Sequence, residues 1–201
     1  MISYPSDAEL LRSEIAAVAA RMIAEDGADY GTAKRKAAKQ VLGDTKVRGD
    51  VMPDNAQVED EVRLYNELFF GDSQPAHLAD LRSIALGLMT ELERFTPYLT
   101  GAVLNGTASA HSDIYLHLFA ESPKDVEIYL LNRNIDFEVS ETPHFNGRSP
   151  AVETVSFMWK GEGVHLVLYE LDDLRGGGRR IERAGLAGVR ALVTGNDTNE
   201  T

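Results

Sequence analysis

Three polar side chains alternate along the chain near its midpoint, at Asp113, Tyr115 and His117. Residues two apart in a β-strand share one face, so these three would project together while the apolar residues between them face a core. Asp113 stands first, where a metal ion or a hydroxyl group could reach its carboxylate. The spacing therefore predicts one chemically competent surface, with Asp113 as the candidate catalytic residue.

A glycine-containing segment precedes this strand, with Gly101 and Gly106 set between apolar residues and a polar turn. Glycine lets backbone N–H groups approach a ligand closely, and a turn of such groups can point at an anion such as a triphosphate. The sequence thus predicts a strand, a glycine turn that binds phosphates, and a second strand that begins with Asp113.

These residues resemble the nucleotidyltransferase superfamily of the polymerase β type. Its signature runs Gly-Ser, three residues, Gly-Thr, a short polar turn, then Ser-Asp-Ile-Asp-Leu. The matching positions are Gly101, Gly106, Thr107, Ser112, Asp113, Ile114 and Leu116. The resemblance implies a mixed sheet with flanking helices that transfers a nucleoside monophosphate from a nucleoside triphosphate to a hydroxyl acceptor. It also implies a nucleotide-binding set, which consists of Gly101, Ala102, Gly106, Thr107 and Ser112.

The departures from the signature affect the metal ligands. Ala102 replaces the serine of the turn, and Tyr115 replaces the second carboxylate. The third family carboxylate lies between apolar residues on a later strand, and the closest match places His165 there; Glu153 or Glu170 would fit only in another register. The family's two Mg²⁺ ions need oxygen-rich ligands, and a phenol of ordinary pKa is a poor substitute.

The alternative metal set combines the one carboxylate with two imidazoles. Asp113, His117 and His165 could hold a transition metal, since imidazole suits zinc, iron or manganese better than magnesium. The expected cofactor is therefore Mg²⁺ from the resemblance, with Mn²⁺ or another divalent metal as the alternative. Strand histidines also serve as ordinary surface or hydrogen-bonded residues.

Composition limits the classes of protein. The 201 residues include no cysteine, which excludes a disulfide framework, a thiolate metal site and a thiol nucleophile. No apolar run approaches the length of about 18 residues that a membrane helix needs, and the first residues lack a signal-peptide pattern, so a cytoplasmic location without membrane contact is expected. A net charge of −12 argues against broad nucleic-acid binding.

The apolar pattern of residues 1–96 predicts about four helices. After residue 96 the apolar residues recur at every second position, as in strands. The second helix, over 33–42 with Thr32 as its cap, is basic, and four of its side chains form a predicted docking face for RNA or a protein partner: Lys34, Arg35, Lys36 and Lys39. Lys46 and Arg48 extend this patch. The alternative is a solvated helix face that pairs with acidic residues.

From residue 97 onward, alternating patterns predict strands around the glycine turn, over 135–140, and as a hairpin over 152–159 and 164–171. A helix begins near Pro123 and a short one spans 183–193. A glycine-rich loop carries Arg175, Arg179 and Arg180, which could clamp phosphates or lie in solvent. The fold class is α+β, with a helical region at 1–96, a nucleotidyltransferase-like domain at 97–193 and a mobile tail at 194–201.

Three hypotheses follow from the sequence. The first is an active nucleotidyltransferase-like enzyme that uses Asp113 and a divalent metal. The second is a catalytically silent protein of the same fold that binds a nucleotide, RNA or protein. The third is an unrelated structural domain in which the glycine turn is coincidental. Neither a full P-loop, a dinucleotide-binding motif nor a hydrolase elbow is present in the sequence.

Overall fold

The computed structural model describes residues 6–43, 49–175 and 182–196. Within it the chain forms two compact units. The helical unit comprises Met1–His77 and Thr107–His111, and the sheet unit comprises Leu78–Gly106 and Ser112–Thr201. The mixed α+β class predicted from the sequence is confirmed. In the described part of the chain, no helix is both long and apolar enough to pass through a membrane.

The helical unit is built on three long helices, namely α1 (Asp7–Asp26), α2 (Tyr30–Leu42) and α3 (Asn55–Phe70). Their apolar faces bury a shared core in which alanines on α1 and α2 meet Val58 and Val62 of α3. Small side chains at these positions let the helix axes approach closely, and burial of this apolar area is the main stabilising term. Helix α4 (Gln74–Glu91) begins in this unit and continues into the other.

Side-chain caps fix where these helices begin. Ser6 and Glu9 form the predicted capping box at α1, and Asp54 caps α3 by accepting a hydrogen bond from the Gln57 N–H. The predicted cap of α2 was wrong, because Asp29 rather than Thr32 is the N-cap, and its carboxylate accepts from the Thr32 N–H at 2.9 Å. Asp and Thr are both favoured N-cap residues, and they lie three positions apart here. The one that comes first in the chain, Asp29, caps the helix.

The sheet unit contains a five-stranded sheet in the order β1-β2-β5-β4-β3. Its elements are β1 (Tyr98–Thr100), α5 (Gly101–Asn105), β2 (Ile114–Ala120), α6 (Pro123–Asn132), β3 (Glu138–Thr142), β4 (Val152–Trp159), β5 (Glu162–Glu170) and α7 (Leu186–Asn196). The pairing of β2 with β5 is parallel and the other pairings are antiparallel. The sheet is therefore mixed, with β5 between β2 and β4.

The β4–β5 hairpin is shorter at its turn than the sequence predicts. Trp159 pairs with Glu162, so only Lys160 and Gly161 form the loop, both with positive φ (50° and 89°). Two left-handed residues in succession match the twist of the flanking strands, and glycine adopts this conformation without strain. This turn sets the register of the strands that carry the candidate site.

One sheet face forms the main core of the unit. Ile114, Leu116 and Leu118 of β2 are fully buried, as their alternation predicts, and α6 buries Val126 and Leu130. The opposite face carries an aromatic cluster in which Phe119 and Tyr169 stack at 5.4 Å between ring centroids. Strand β2 is thus buried on both faces along most of its length, whereas the edge strand β3 is exposed.

Two predicted elements are shifted. The strand predicted over 135–140 is observed at Glu138–Thr142, and the helix predicted over 183–193 is observed at Leu186–Asn196. Strand β3 pairs only with β4 and is almost entirely exposed, so no buried face ties its position to the apolar residues. Residues 194–196 of the predicted tail belong to α7, and residues 197–201 lie outside the described part of the chain.

Candidate functional site at the Asp113 end of the sheet

Strands β2 and β5 bring the predicted site residues of two distant segments together. In their parallel register Tyr115 lies opposite His165. Because side chains alternate along both strands, these two project from the same sheet face. The placement of His165 beside the Asp113 strand, expected from the resemblance, is therefore observed.

Asp113 lies immediately before β2 and contacts His165. Its Oδ2 is 3.0 Å from His165 Nε2, and its side chain is 45% exposed. Gly163 provides the room for this carboxylate, because a Cβ at that position would lie 2.3 Å from Asp113 Oδ1. The carboxylate is thus positioned by a neighbouring backbone and an imidazole, and it remains accessible to a ligand.

Ser156 of β4 completes a hydrogen-bonded chain and was not predicted as a site residue from the sequence. Its Oγ is 2.8 Å from His165 Nδ1, so both ring nitrogens of His165 are engaged. If an ionised Asp113 accepts from Nε2–H, the remaining nitrogen accepts the Ser156 hydroxyl proton. The sequence contained the information for this contact, because a two-residue turn at Lys160 and Gly161 places positions 156 and 165 opposite each other on β4 and β5.

Tyr115 stacks on the His165 ring, with centroids 4.6 Å apart and planes inclined by 24°. Burial raises the pKa of its phenol, and the nearby charge of Asp113 adds to the effect. The phenol therefore stays protonated at neutral pH, where a family member would present a carboxylate. With 43% of its surface exposed, the ring also offers a face to a planar ligand.

His117 does not join Asp113 and His165. It lies opposite Val167, is buried, and contacts the edge of Tyr169 at 5.0 Å between centroids. Burial lowers its pKa to about 4, and the positive charge of Arg183 contributes. Among residues 6–43, 49–175 and 182–196, no three histidine or acidic side chains converge as a metal-holding group.

The donor set does not fit the two Mg²⁺ ions implied by the resemblance. A magnesium pair needs several bridging oxygen ligands, whereas Asp113 is already hydrogen-bonded to an imidazole and no group of described acidic side chains converges around it as a metal site. Tyr115 and His165 occupy the positions where two further carboxylates would be needed. The geometry supports binding of a ligand, and proton exchange along the hydrogen-bonded chain of Asp113, His165 and Ser156, better than catalysis by two metal ions.

The predicted phosphate turn is a helical turn rather than an open loop. Residues Gly101–Asn105 form α5, and Gly106 (φ 84°) closes it through a 3.0 Å bond from its N–H to the Ala102 carbonyl. The half-buried Arg82 guanidinium donates to the carbonyls of Val103 and Leu104, at 3.0 and 2.9 Å. Capping of the last carbonyls by a cation holds this turn in one conformation.

The predicted nucleotide-binding residues are divided between the two units. Gly101 is exposed with a φ of 71°, and the pairing of Thr100 with Tyr115 places it beside the start of β2. Ala102, Gly106 and Ser112 belong to the same unit. Thr107 belongs to the helical unit, where it is buried and its Oγ1 lies 3.3 Å from Tyr30 Oη. Thr107 is thus a packing residue in this structure.

A groove of about 600 Å³ opens next to the hydrogen-bonded chain. Asp113, Ser156 and His165 line it, together with the β4–β5 turn and the segment leading into β3. Three further carboxylates lie along it, namely Asp136, Glu138 and Glu162. The groove is therefore acidic, and an anionic ligand would bind there only together with a cation.

The basic helix presents fewer available cations than its sequence predicts. Lys34 Nζ is 2.8 Å from Asn55 Oδ1, and Arg35 donates to Thr32 Oγ1 at 3.0 Å. Lys36 and Lys39 are exposed. Lys46, Arg48, Arg179 and Arg180, which were also predicted to bind anions, lie outside the described residues, whereas Arg175 is described and exposed.

Comparison with known proteins assigns neither a family nor a function to this chain. No family model, no curated protein and no solved structure matches the chain.

Proposed function

We propose that this chain is a nucleotidyltransferase-like protein that binds a nucleotide at the Asp113 end of its sheet without transferring it. The observation that carries the proposal is the parallel register of β2 and β5, which brings His165 within 3.0 Å of Asp113. These are the positions where the resemblance expects two metal-binding carboxylates. Gly101 lies beside them at the end of β1, as a phosphate-binding turn would.

The silent protein is favoured over an active transferase by the chemistry of the ligands. One carboxylate, a protonated phenol and an imidazole replace three acidic groups. Because the groove is acidic, the nucleoside triphosphate would enter as its complex with Mg²⁺ or Mn²⁺, the metal arriving with the ligand. Tyr115, which is exposed beside His165, would then stack on the base.

The first experiment separates binding from turnover. Calorimetry with ATP, CTP, GTP and UTP, each with Mg²⁺ or Mn²⁺, is paired with a pyrophosphate-release assay on the full chain. We expect binding of at least one triphosphate and no release. Asp113→Ala should weaken binding about tenfold through loss of one charge-assisted contact, a free-energy change of about 1.4 kcal/mol. Asp80→Ala removes an exposed carboxylate of the same unit outside the groove and should change nothing.

Pyrophosphate release by the native chain would refute the silent hypothesis and support an active enzyme. Absence of triphosphate binding in a folded protein would refute both. The double variant Tyr115→Asp with His165→Asp then asks whether missing carboxylates are the only defect. Metal-dependent release by that variant, and not by Tyr115→Asn with His165→Asn, would support the family resemblance directly.

A second candidate function is hydrolysis, and the Ser156–His165–Asp113 chain favours it. The serine hydroxyl donates to an imidazole that is oriented by a carboxylate, which is the arrangement of an activated nucleophile. It ranks second because Ser156 lies within β4, where backbone N–H groups are used by the strand ladders on both sides. Labelling by a fluorophosphonate that is lost in Ser156→Ala would support it.

We also propose that the basic helix α2 contacts a partner. Two exposed lysines, Lys36 and Lys39, support contact with RNA or with an acidic protein surface. Lys34 is half-buried and its ammonium group is hydrogen-bonded to Asn55, whereas Arg35 is exposed although it donates to Thr32. Any partner is therefore expected to bind weakly through this face.

A further inference from the structure

The helical unit contains a cavity of about 380 Å³ that was not predicted from the sequence. The end of α1, the end of α3, the first turn of α4 and the segment 109–111 form its walls, which are mainly apolar. Its size lies within the range of small-molecule sites, of the order of 300 to 1,000 Å³. A few polar groups also line the cavity, and those of Asn66 and His77 are buried.

Asn66 of α3 is buried, with 2% of its surface exposed, and it lines this cavity. Among the described residues, neither Nδ2 nor Oδ1 of its carboxamide has a hydrogen-bond partner. An unpaired buried amide is costly, so native interiors rarely keep one without a role. The carboxamide presents a donor beside an acceptor and thus calls for a ligand with the complementary pair.

A second buried atom points to the same conclusion. His77 Nε2, from the first turn of α4, also lines the cavity and has no hydrogen-bond partner within the described part of the chain. Phe70 lies partly exposed on the wall, where its ring can contact a flat ligand. Three kinds of contact are therefore available in one cavity: a bidentate amide, an imidazole and an aromatic face.

The charge of the cavity limits the ligand further. The carboxylate of Glu25 is in the lining and accepts a hydrogen bond from the Tyr65 hydroxyl. A carboxylate at this position disfavours phosphate groups and other anions, and the mainly apolar walls disfavour a charged ligand of either sign, so a neutral ligand fits best. The site also differs from the sheet groove, since none of its lining residues belongs to the sheet unit.

From this geometry we infer that the cavity binds a neutral planar heterocycle with an amide-type edge, such as a nucleobase or its nucleoside. The ligand's adjacent donor and acceptor pair with the Asn66 carboxamide, a further polar atom meets His77, and Phe70 packs on the ring. This site functions independently of Asp113 and of the nucleotide binding proposed above.

Calorimetry and thermal unfolding of the full chain test this site with adenosine, guanosine, cytidine and uridine, and with toluene as an apolar probe of similar ring size. We expect saturable binding of at least one nucleoside, no comparable binding of toluene, and an upward shift of the melting temperature with ligand concentration. Asn66→Leu should weaken nucleoside binding tenfold or more. The same change should leave the melting temperature of the free protein equal or higher, because it removes two unpaired polar atoms.

Matched variants distinguish binding in this cavity from binding elsewhere on the chain. Phe70→Ala, at a partly exposed position, should fold normally and weaken binding several-fold; Asn132→Leu, on an exposed face of α6, should leave it unchanged. Asp113→Ala should not affect nucleosides, and Asn66→Leu should not affect a triphosphate held at the sheet. The inference is overturned if no nucleoside binds at millimolar concentration, if toluene binds equally well, or if both Asn66→Leu and Phe70→Ala bind like the native chain.

Discussion

At the scale of single residues, the candidate site depends on the absence of one side chain. The Asp113 carboxylate lies against the Gly163 backbone, where any Cβ would overlap it. Its contact with His165 depends on this placement, whereas the contact of His165 with Ser156 follows from the β4–β5 register. Gly163 thus acts as a positioning residue although it carries no functional group.

Gly163→Ala should break this arrangement. The new Cβ would lie 2.3 Å from Asp113 Oδ1 and 2.7 Å from Cγ, so the carboxylate must move away from His165. We expect the free energy of unfolding to fall by about 1 to 3 kcal/mol, as for other overpacked positions. Chemical denaturation measures this change, and the NMR signals of the His165 ring report whether its partner has moved.

Gly87→Ala is the matched control for that experiment. This glycine lies within α4 and the nearest atom to a new Cβ is Lys160 Nζ at 4.0 Å. Alanine in a helix interior should raise the free energy of unfolding by about 0.5 to 1 kcal/mol. Equal effects of the two substitutions would contradict the assigned role of Gly163.

His117 should make stability depend on pH. Burial and Arg183 lower its pKa from 6.5 to about 4 in the folded chain, so between these values the unfolded chain binds a proton that the folded chain does not. The free energy of unfolding should therefore decrease as the pH falls from 6.5 to 4, by up to about 3 kcal/mol from this group. Urea denaturation at several pH values measures the slope.

His117→Gln should flatten that slope, whatever it does to stability at neutral pH. Asn132→Gln, an exposed substitution that changes no titratable group, should leave the slope as it is. An unchanged slope in His117→Gln would mean that other groups control the acid sensitivity of the protein.

At the scale of secondary-structure elements, local signals determine most boundaries. Helix α3 begins at a capping box in which the Gln57 N–H donates to Asp54 Oδ1 at 2.8 Å and the Asp54 N–H donates to Gln57 Oε1 at 3.1 Å. Asp54→Ala should lower the free energy of unfolding by about 1 kcal/mol, and Asp54→Ser should recover most of it. Circular dichroism during thermal unfolding checks both variants. Equal stability of the native and alanine proteins would show that this cap does not limit the helix.

The sequence predicted those elements that carry a local pattern, such as the α1 box and the alternating apolar residues of β2. It failed where the pattern had no buried face, as in the exposed strand β3, and where two capping residues competed at α2. Within the candidate site, Asp113 was predicted from the strand alternation and the resemblance, and His165 from the resemblance, and the structure shows that the two side chains are in contact. Ser156 was missed because its role depends on hairpin register, and Asn66 because an unpaired buried amide is a property of packing alone.

At the scale of the whole molecule, a net charge of −12 makes polyanion binding unfavourable outside a local basic surface. Lys36 and Lys39 are exposed on α2, and Arg35 is exposed as well, although it donates a hydrogen bond to Thr32. Binding of single-stranded RNA through this face should show a shallow salt dependence. We expect a slope of log K against log salt of about −1.4, from neutralisation of about two phosphates.

Fluorescence anisotropy with labelled RNA at several salt concentrations measures this slope. The double variant Lys36→Gln with Lys39→Gln should abolish binding, whereas Lys124→Gln, an exposed lysine paired with acidic residues of the sheet unit, should not. A slope several times steeper would require a larger basic surface than α2 provides.

The position of β5 in the middle of the sheet has a consequence for how the site forms. Strand β5 follows the other four strands in sequence, yet it pairs in parallel with β2, and Asp113 and His165 are 52 residues apart. Its antiparallel hairpin with β4 can form early from neighbouring residues, whereas pairing with β2 must first close a long loop. The Asp113 carboxylate and the His165 imidazole are therefore expected to come into contact late in folding, once β2 has paired with β5. Their contact can serve as a reporter of the fully folded sheet.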